Sequence, residues 1–184
     1  MEMIFILAVA LAMDSAAVSI AMGSKYKKLR LPKILFIAAV FGIFQGLMPL
    51  AGYFIGINFA NYVQAYDHWI AFVLLVALGG KMLYEAYQDG FDAEVTDLST
   101  KTLITLAVAT SIDAMAVGVS FAFLQTDIYT ASVIIAVVTF ILCLVAVYIG
   151  KKLGTFLESK AEILGGVILI GLGCKILAEH LGLI

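Results

Sequence analysis

Residues 109–124 read ATSIDAMAVGVSFAFL, and residues 10–23 read ALAMDSAAVSIAMG. Each is an apolar run with one aspartate, Asp113 or Asp14, set among alanine, glycine and serine. An aspartate at the centre of a membrane-spanning helix costs about 2.5–3.5 kcal/mol on insertion scales. The apolar runs indicate the fold, and whatever offsets two such penalties indicates the function.

The surrounding composition places both runs in a bilayer. The 184 residues are 64% hydrophobic and 13% charged, with a mean hydropathy of +1.11, far from the range of a soluble domain. The net charge of -2 carries little information, because the charges sit in a few short clusters. No basic stripe of the kind that binds nucleic acid is present. Cys143 and Cys174 lie in apolar stretches without metal or redox spacing and read as small core hydrophobes.

A spanning helix needs about 20 mostly apolar residues, and six segments qualify: 3–23, 33–57, 67–88, 102–124, 128–150 and 160–182. The expected fold is all-α, a polytopic membrane protein. The first segment lacks a basic leader, carries Asp14 and precedes the basic cluster, so it is expected to stay in the membrane and not to be removed as a signal peptide. The first loop holds Lys25, Lys27, Lys28, Arg30 and Lys33, and the fifth holds Lys151, Lys152 and Lys160, whereas the second and fourth hold no Lys or Arg. The positive-inside rule then makes loops one, three and five cytoplasmic and puts both termini outside.

Laying the halves over each other reveals a repeat. Asp14 meets Asp113 at an offset of 99, together with Ala17-Val18 on Ala116-Val117, and LGGKMLYE at 78–85 meets LGCKILAE at 172–179 at an offset of 94. The difference of five reads as a deletion between the second and third helices of the second copy. Three helices per copy is an odd number, so the copies are inverted: residues 1–88 form the first, 89–101 a cytoplasmic acidic linker with Asp89, Asp92, Glu94 and Asp97, and 102–184 the second. Inverted repeats are a transporter signature, with the substrate site near the midplane where the copies meet.

No lysine or arginine lies at the depth of the two acids. Lys81 and Lys175 sit nearer their helix ends, four residues before Glu85 and Glu179. Two readings stand: both acids protonated and hydrogen-bonded to Ser and Thr, or a cation pathway. Around the acids are Ser15, Ser19, Thr110, Ser111 and Ser120 as oxygen donors, and Ala16, Ala17, Ala114 and Gly118 as small residues that let helices approach. Two carboxylates balance a divalent ion, oxygen-rich surroundings suit Mg, Ca or Mn, and the lack of a Cys or His cluster argues against zinc or copper. Met13 and Met115 flank the acids and serve either as packing or as a soft donor. In FGIFQGLMPLAG, residues 41–52, Pro49 has no N–H for the carbonyl of Gln45 four residues earlier. That carbonyl and the Gln45 side chain could act as two neutral ligands. Alternatively, the amide bonds to a neighbouring helix.

The motifs M-D-x-A-A-V-S at 13–19, F-G-x-x-Q-x-L-M-P-L-x-G at 41–52, H-W-I-A-F-V-L-L at 68–75, A-T-S-I-D-A-M-A-V-G at 109–118 and K-A-E-I-L-G-G at 160–166 resemble the MntP-type manganese efflux pumps. The resemblance covers nearly the whole chain. It implies a six-helix bacterial inner-membrane exporter of the lysine-exporter superfamily that lowers cytoplasmic manganese, with Asp14 and Asp113 as the metal-binding acids and the neighbouring small and hydroxyl residues shaping the site. Ser15 stands where that pattern more often has alanine. Mn(II) is then the substrate and not a cofactor, the bilayer is the surroundings, and neither nucleic acid nor a protein partner is implied. No catalytic residues are expected: the Ala-Met and Ser-Ile that precede the two aspartates lack the contexts of an intramembrane aspartyl protease. Export of another cation or an amino acid by the same architecture is the alternative.

Overall fold

The structure is a computed structural model that describes residues 2–26, 28–63, 99–124 and 126–153 as continuous runs, with single positions between 69 and 84 and between 163 and 181. Four helices fill the runs: α1 (Glu2–Lys25), α2 (Leu31–Val63), α3 (Thr100–Phe123) and α4 (Ile128–Leu153). Each contains a window long and apolar enough to cross a membrane, over Glu2–Lys25, Leu31–Asn58, Thr100–Phe123 and Ile128–Lys152. Only helices occur among the described residues, and four of the six expected spans are matched within a few residues. Where α2 outruns its expected end at 57, the helix carries on through Asn58, whose Nδ2 donates to the Phe54 carbonyl at 2.8 Å. The third and sixth expected spans lie largely outside the described residues. Their described positions, including Trp69, Phe72, Val73, Val167, Ile170 and Cys174, are helical except Leu181, which lies in a turn.

Local chemistry sets the helix ends. Glu2 in the first turn of α1 and Lys25 in its last complement the helix dipole. Ser99 caps α3, its hydroxyl accepting from the Thr102 N–H at 3.2 Å. Asp127 caps α4: Oδ1 accepts from the Tyr129 N–H at 3.1 Å, and Oδ2 accepts from the Thr130 hydroxyl at 2.6 Å. The Thr130 hydroxyl, helped by its N–H, holds this exposed carboxyl below its ordinary 3.8.

The four helices pack as two parallel pairs joined by one antiparallel contact. In the α1/α4 pair, a Cβ at Gly23 would run into the Val147 carbonyl and one at Gly150 into that of Ile20, so the C-terminal ends of the two helices lie together. Leu7 and Ile128, near their starts, share an apolar cluster. In the α2/α3 pair, Gln45 meets Ser111 while Gly56 lies against Val119 and Ala122. Here too backbone meets backbone, since a Cβ at Gly52 would strike the Met115 carbonyl and one at Gly118 that of Pro49. At Gly23, Gly52, Gly118 and Gly150 these crossings are open only to glycine, and they supply the dispersion contact that holds helices together in lipid. Between the pairs, Gly42 of α2 faces Ala136 and Phe140 of α4, and Gly46 faces Ser132 and Ala136, in opposite chain order. Contacts between α1 and α2, and between α3 and α4, are sparse.

Along the bundle axis the interior is layered. At one end Leu7, Leu11, Val117, Phe121, Ile128 and Ile135 form an apolar cluster from α1, α3 and α4. At the other, Val18, Met22, Ile37, Phe41, Leu103 and Val147 form a second one drawn from all four helices. Each helix passes from one cluster to the other, and polar residues stand at the passage: Asp14 and Ser15 on α1, Gln45 on α2, Thr110, Ser111 and Asp113 on α3, and Thr139 on α4.

Candidate functional site

This polar layer contains most of the residues singled out from the sequence. Gln45 is fully buried and uses both ends of its amide: Nε2 donates to the Leu11 carbonyl of α1 at 2.8 Å, and Oε1 accepts from the Ser111 hydroxyl of α3 at 2.8 Å. The Ser15 hydroxyl donates to the Thr110 hydroxyl at 3.3 Å, which itself donates to the Ala107 carbonyl at 3.3 Å. Three helices are thus tied together by polar bonds at one height.

Both aspartates stand at the edge of this network. Asp14 follows Leu11 by three residues and precedes Ser15 directly. Asp113 follows Thr110 by three and Ser111 by two. One helical turn rises only about 5.4 Å, so each acid lies within a turn of partners that are bonded across the helix interface. Asp113 is 4% exposed, and Asp14 is half-buried. Burial of a carboxylate at this depth requires compensation by hydrogen bonds or a cation. The layer supplies hydroxyl and amide groups but, among the described residues, no cluster of three or more His, Cys, Asp or Glu side chains.

The remaining candidates divide by surroundings. Ser19 is fully buried one turn beyond Ser15, with its hydroxyl beside the Cys143 thiol of α4. Met13 is 8% exposed and belongs to the apolar cluster with Leu7, Leu11 and Phe121, which is the packing alternative for that residue. Met115 is half-buried, with its backbone carbonyl against Gly52. Of the two alternatives for Gln45, the bond to neighbouring helices is present. An amide oxygen has two lone pairs, and Ser111 occupies one. The residue that the sequence reading missed is Thr139, fully buried with no partner for Oγ1 among the described residues. Its signal was a hydroxyl seven residues, two helical turns, after the buried Ser132, in an otherwise apolar span.

Comparison with known proteins gives the family. The family model described as "Putative manganese efflux pump" matches residues 28–177. A protein of Campylobacter curvus (strain 525.92) named "Putative manganese efflux pump MntP" is 51% identical over 178 residues, covering 97% of each chain. "Putative manganese efflux pump MntP 2" of Clostridium botulinum (strain Langeland) is 47% identical, covering 96% of this chain and 94% of its own. The corresponding protein of Clostridium perfringens (strain 13) is also 47% identical, with 95% and 92% covered. No solved structure matches. On the length and identity of these matches, the chain belongs to the Mntp family.

Proposed function

We propose that the chain exports Mn(II) from the bacterial cytoplasm across the inner membrane, with the ion passing between Asp14 and Asp113 at the polar layer. The observation that carries the reading is the layer itself: two acids, an amide and several hydroxyls from different helices at one height, between two apolar clusters. Two carboxylates neutralise a divalent ion. Ser15, Ser19, Thr110, Ser111 and the second lone pair of Gln45 Oε1 provide hard oxygen donors suited to Mn(II), while Met13 and Met115 are secondary candidates. Binding of the ion displaces protons from the acids and outward release lets them return, so exchange against protons is the natural drive.

The six-helix inverted repeat is supported by the pairing. Exchanging the copies turns α1 on α4 into α3 on α2, and both contacts are extensive. Taken at offset 99 for the first helix of each copy and 94 for the second, Ile20 against Gly150 becomes Val119 against Gly56, which is itself a close contact. That register favours a five-residue shortening ahead of the second helix of the second copy, between α3 and α4, and not after it. Because α2 and α3 run parallel, the chain must return from one end of the bundle to the other between them, which is the work expected of the 67–88 span. Lys151 Nζ donates to the Leu29 carbonyl at 2.7 Å, which supports loops one and five lying on one side, the cytoplasmic one by the charge rule.

The test is transport in proteoliposomes with imposed pH and voltage gradients. Mn(II) flux that responds to the pH gradient is expected. Flux of an amino acid, or of another cation in preference to Mn(II), would instead establish the alternative cargo.

A further inference from the structure

Where α1 turns into α2, the chain forms a cleft of about 600 Å³ lined by Lys25, Tyr26, Lys28, Leu29, Arg30 and Lys33. We infer that this cleft binds the phosphate-bearing head of an anionic membrane phospholipid.

Charge is the first argument. Lys25, Lys27, Lys28, Arg30 and Lys33 are five of the 11 Lys and Arg residues of a chain whose net charge is -2, and no acid interrupts them. A loop that served only to orient the protein would need these charges in any arrangement. Here four of them are drawn around one concavity.

The second argument is that the turn is held in place. Tyr26 N–H donates to the Met22 carbonyl at 2.9 Å, and Leu29 N–H donates to the Tyr26 carbonyl at 3.1 Å. The Leu29 carbonyl is held in turn by Lys151 of α4. The lining cations therefore start from an ordered backbone and lose less entropy on binding than a loose tail would.

The third argument chooses a lipid over free phosphate. Leu31, at the start of α2, is 66% exposed, and Leu35, one turn further on the same face, is 42% exposed. Phe36 beside it is 41% exposed, with the Lys33 ammonium 5.4 Å from its ring centroid. An anion seated in the cleft thus lies next to an apolar strip pointing along the span, which is the shape of a phospholipid: charged head, apolar tails. The zwitterionic choline head offers no net negative charge and should be refused.

The experiment measures lipid retention by native mass spectrometry on the detergent-purified full chain, comparing phosphatidylglycerol with phosphatidylcholine of the same acyl chains. Preferential retention of phosphatidylglycerol is expected. Each juxtamembrane cation is worth about fivefold in affinity, so Lys28→Gln with Arg30→Gln should weaken it roughly 25-fold. Equal retention of the two lipids by the unaltered chain overturns the inference even if the double variant fails to fold, and so does unchanged phosphatidylglycerol affinity in a folded double variant. Displacement of the lipid by millimolar inorganic phosphate or glycerol phosphate would overturn the lipid assignment in favour of a soluble anion site. None of these readouts uses manganese, so they stand apart from the transport reading.

Discussion

At the scale of single residues, Gln45 shows how a polar side chain can be held in an apolar bundle. Its amide bonds to α1 at one end and to α3 at the other, which makes it a spacer between the two helices that carry the acids. In lipid, interhelical hydrogen bonds average about 0.6 kcal/mol with a maximum of about 1.7, so the structural value of this bridge is modest. The acids are the sharper case. Asp14→Asn and Asp113→Asn keep shape and remove charge; each is expected to abolish manganese export while membrane levels stay normal, read as loss of manganese resistance in a strain lacking its own exporter. Full resistance in either variant would remove that residue from the site. Thr139 behaves oppositely, because its buried hydroxyl has no hydrogen-bond partner among the described residues. Thr139→Val retains volume and removes the desolvated group, so the variant should unfold in detergent no more easily than the parent and should gain up to about 1 kcal/mol. A clear loss of stability would mean that the hydroxyl has a partner in the membrane. The sequence displayed the acids and the hydroxyls beside them plainly, since polar groups stand out against an apolar run. It could not choose between the two uses of Gln45, because both need the same residue at the same depth.

Helices are legible by length and hydropathy, and the four described ones fall close to where an apolar count places them. Their pairing was not legible in the same way. All four are apolar around their whole circumference, so no stripe says which face meets which neighbour; that information sits in the glycines. Gly118 is the clearest example, since any Cβ there would occupy the space of the Pro49 backbone. Gly118→Val should force α3 away from α2 beside Asp113, lowering folded yield and ending export, whereas Gly171→Ala, with no described residue within 4 Å of its Cβ, should do neither. Thermal melting of the two variants in the same detergent separates the cases, and equal melting would show that the crossing can relax. The start of α4 makes a different prediction. Because folding holds the Asp127 carboxyl below its ordinary 3.8, the stabilisation by this cap is complete above that value and disappears as the pH falls through the lowered one. Hydrogen exchange at the Tyr129 and Thr130 amides should therefore lose protection on that acid limb, and Asp127→Asn should flatten the dependence.

For the whole molecule, the sequence repeats and the packed units differ. The halves of the chain read as copies, yet α1 and α2 of the first half make few contacts with each other, and the backbone-on-backbone crossings join α1 to α4 and α2 to α3. A half that rocked as a rigid body would have to break those crossings. Motion between the two parallel pairs leaves those crossings closed and breaks instead the α2/α4 contact at Gly42 and Gly46, together with the single hydrogen bonds from Gln45 to Leu11 and from Ser15 to Thr110. The aspartates sit on α1 and α3, one in each pair, so such a motion changes their separation and can open the polar layer to one side and then the other. Cross-linking distinguishes the two schemes in a chain whose Cys143 and Cys174 are replaced by alanine. The Cβ positions of Gly56 and Ala122 lie 2.9 Å apart within the α2/α3 pair, and those of Gly42 and Phe140 lie 3.1 Å apart across the α2/α4 contact. A disulfide in Gly56→Cys with Ala122→Cys should leave manganese export largely intact, because it joins residues that travel together. One in Gly42→Cys with Phe140→Cys should stop export until it is reduced. The reverse pattern would mean that the halves themselves are the moving bodies and that the glycine crossings open in every cycle.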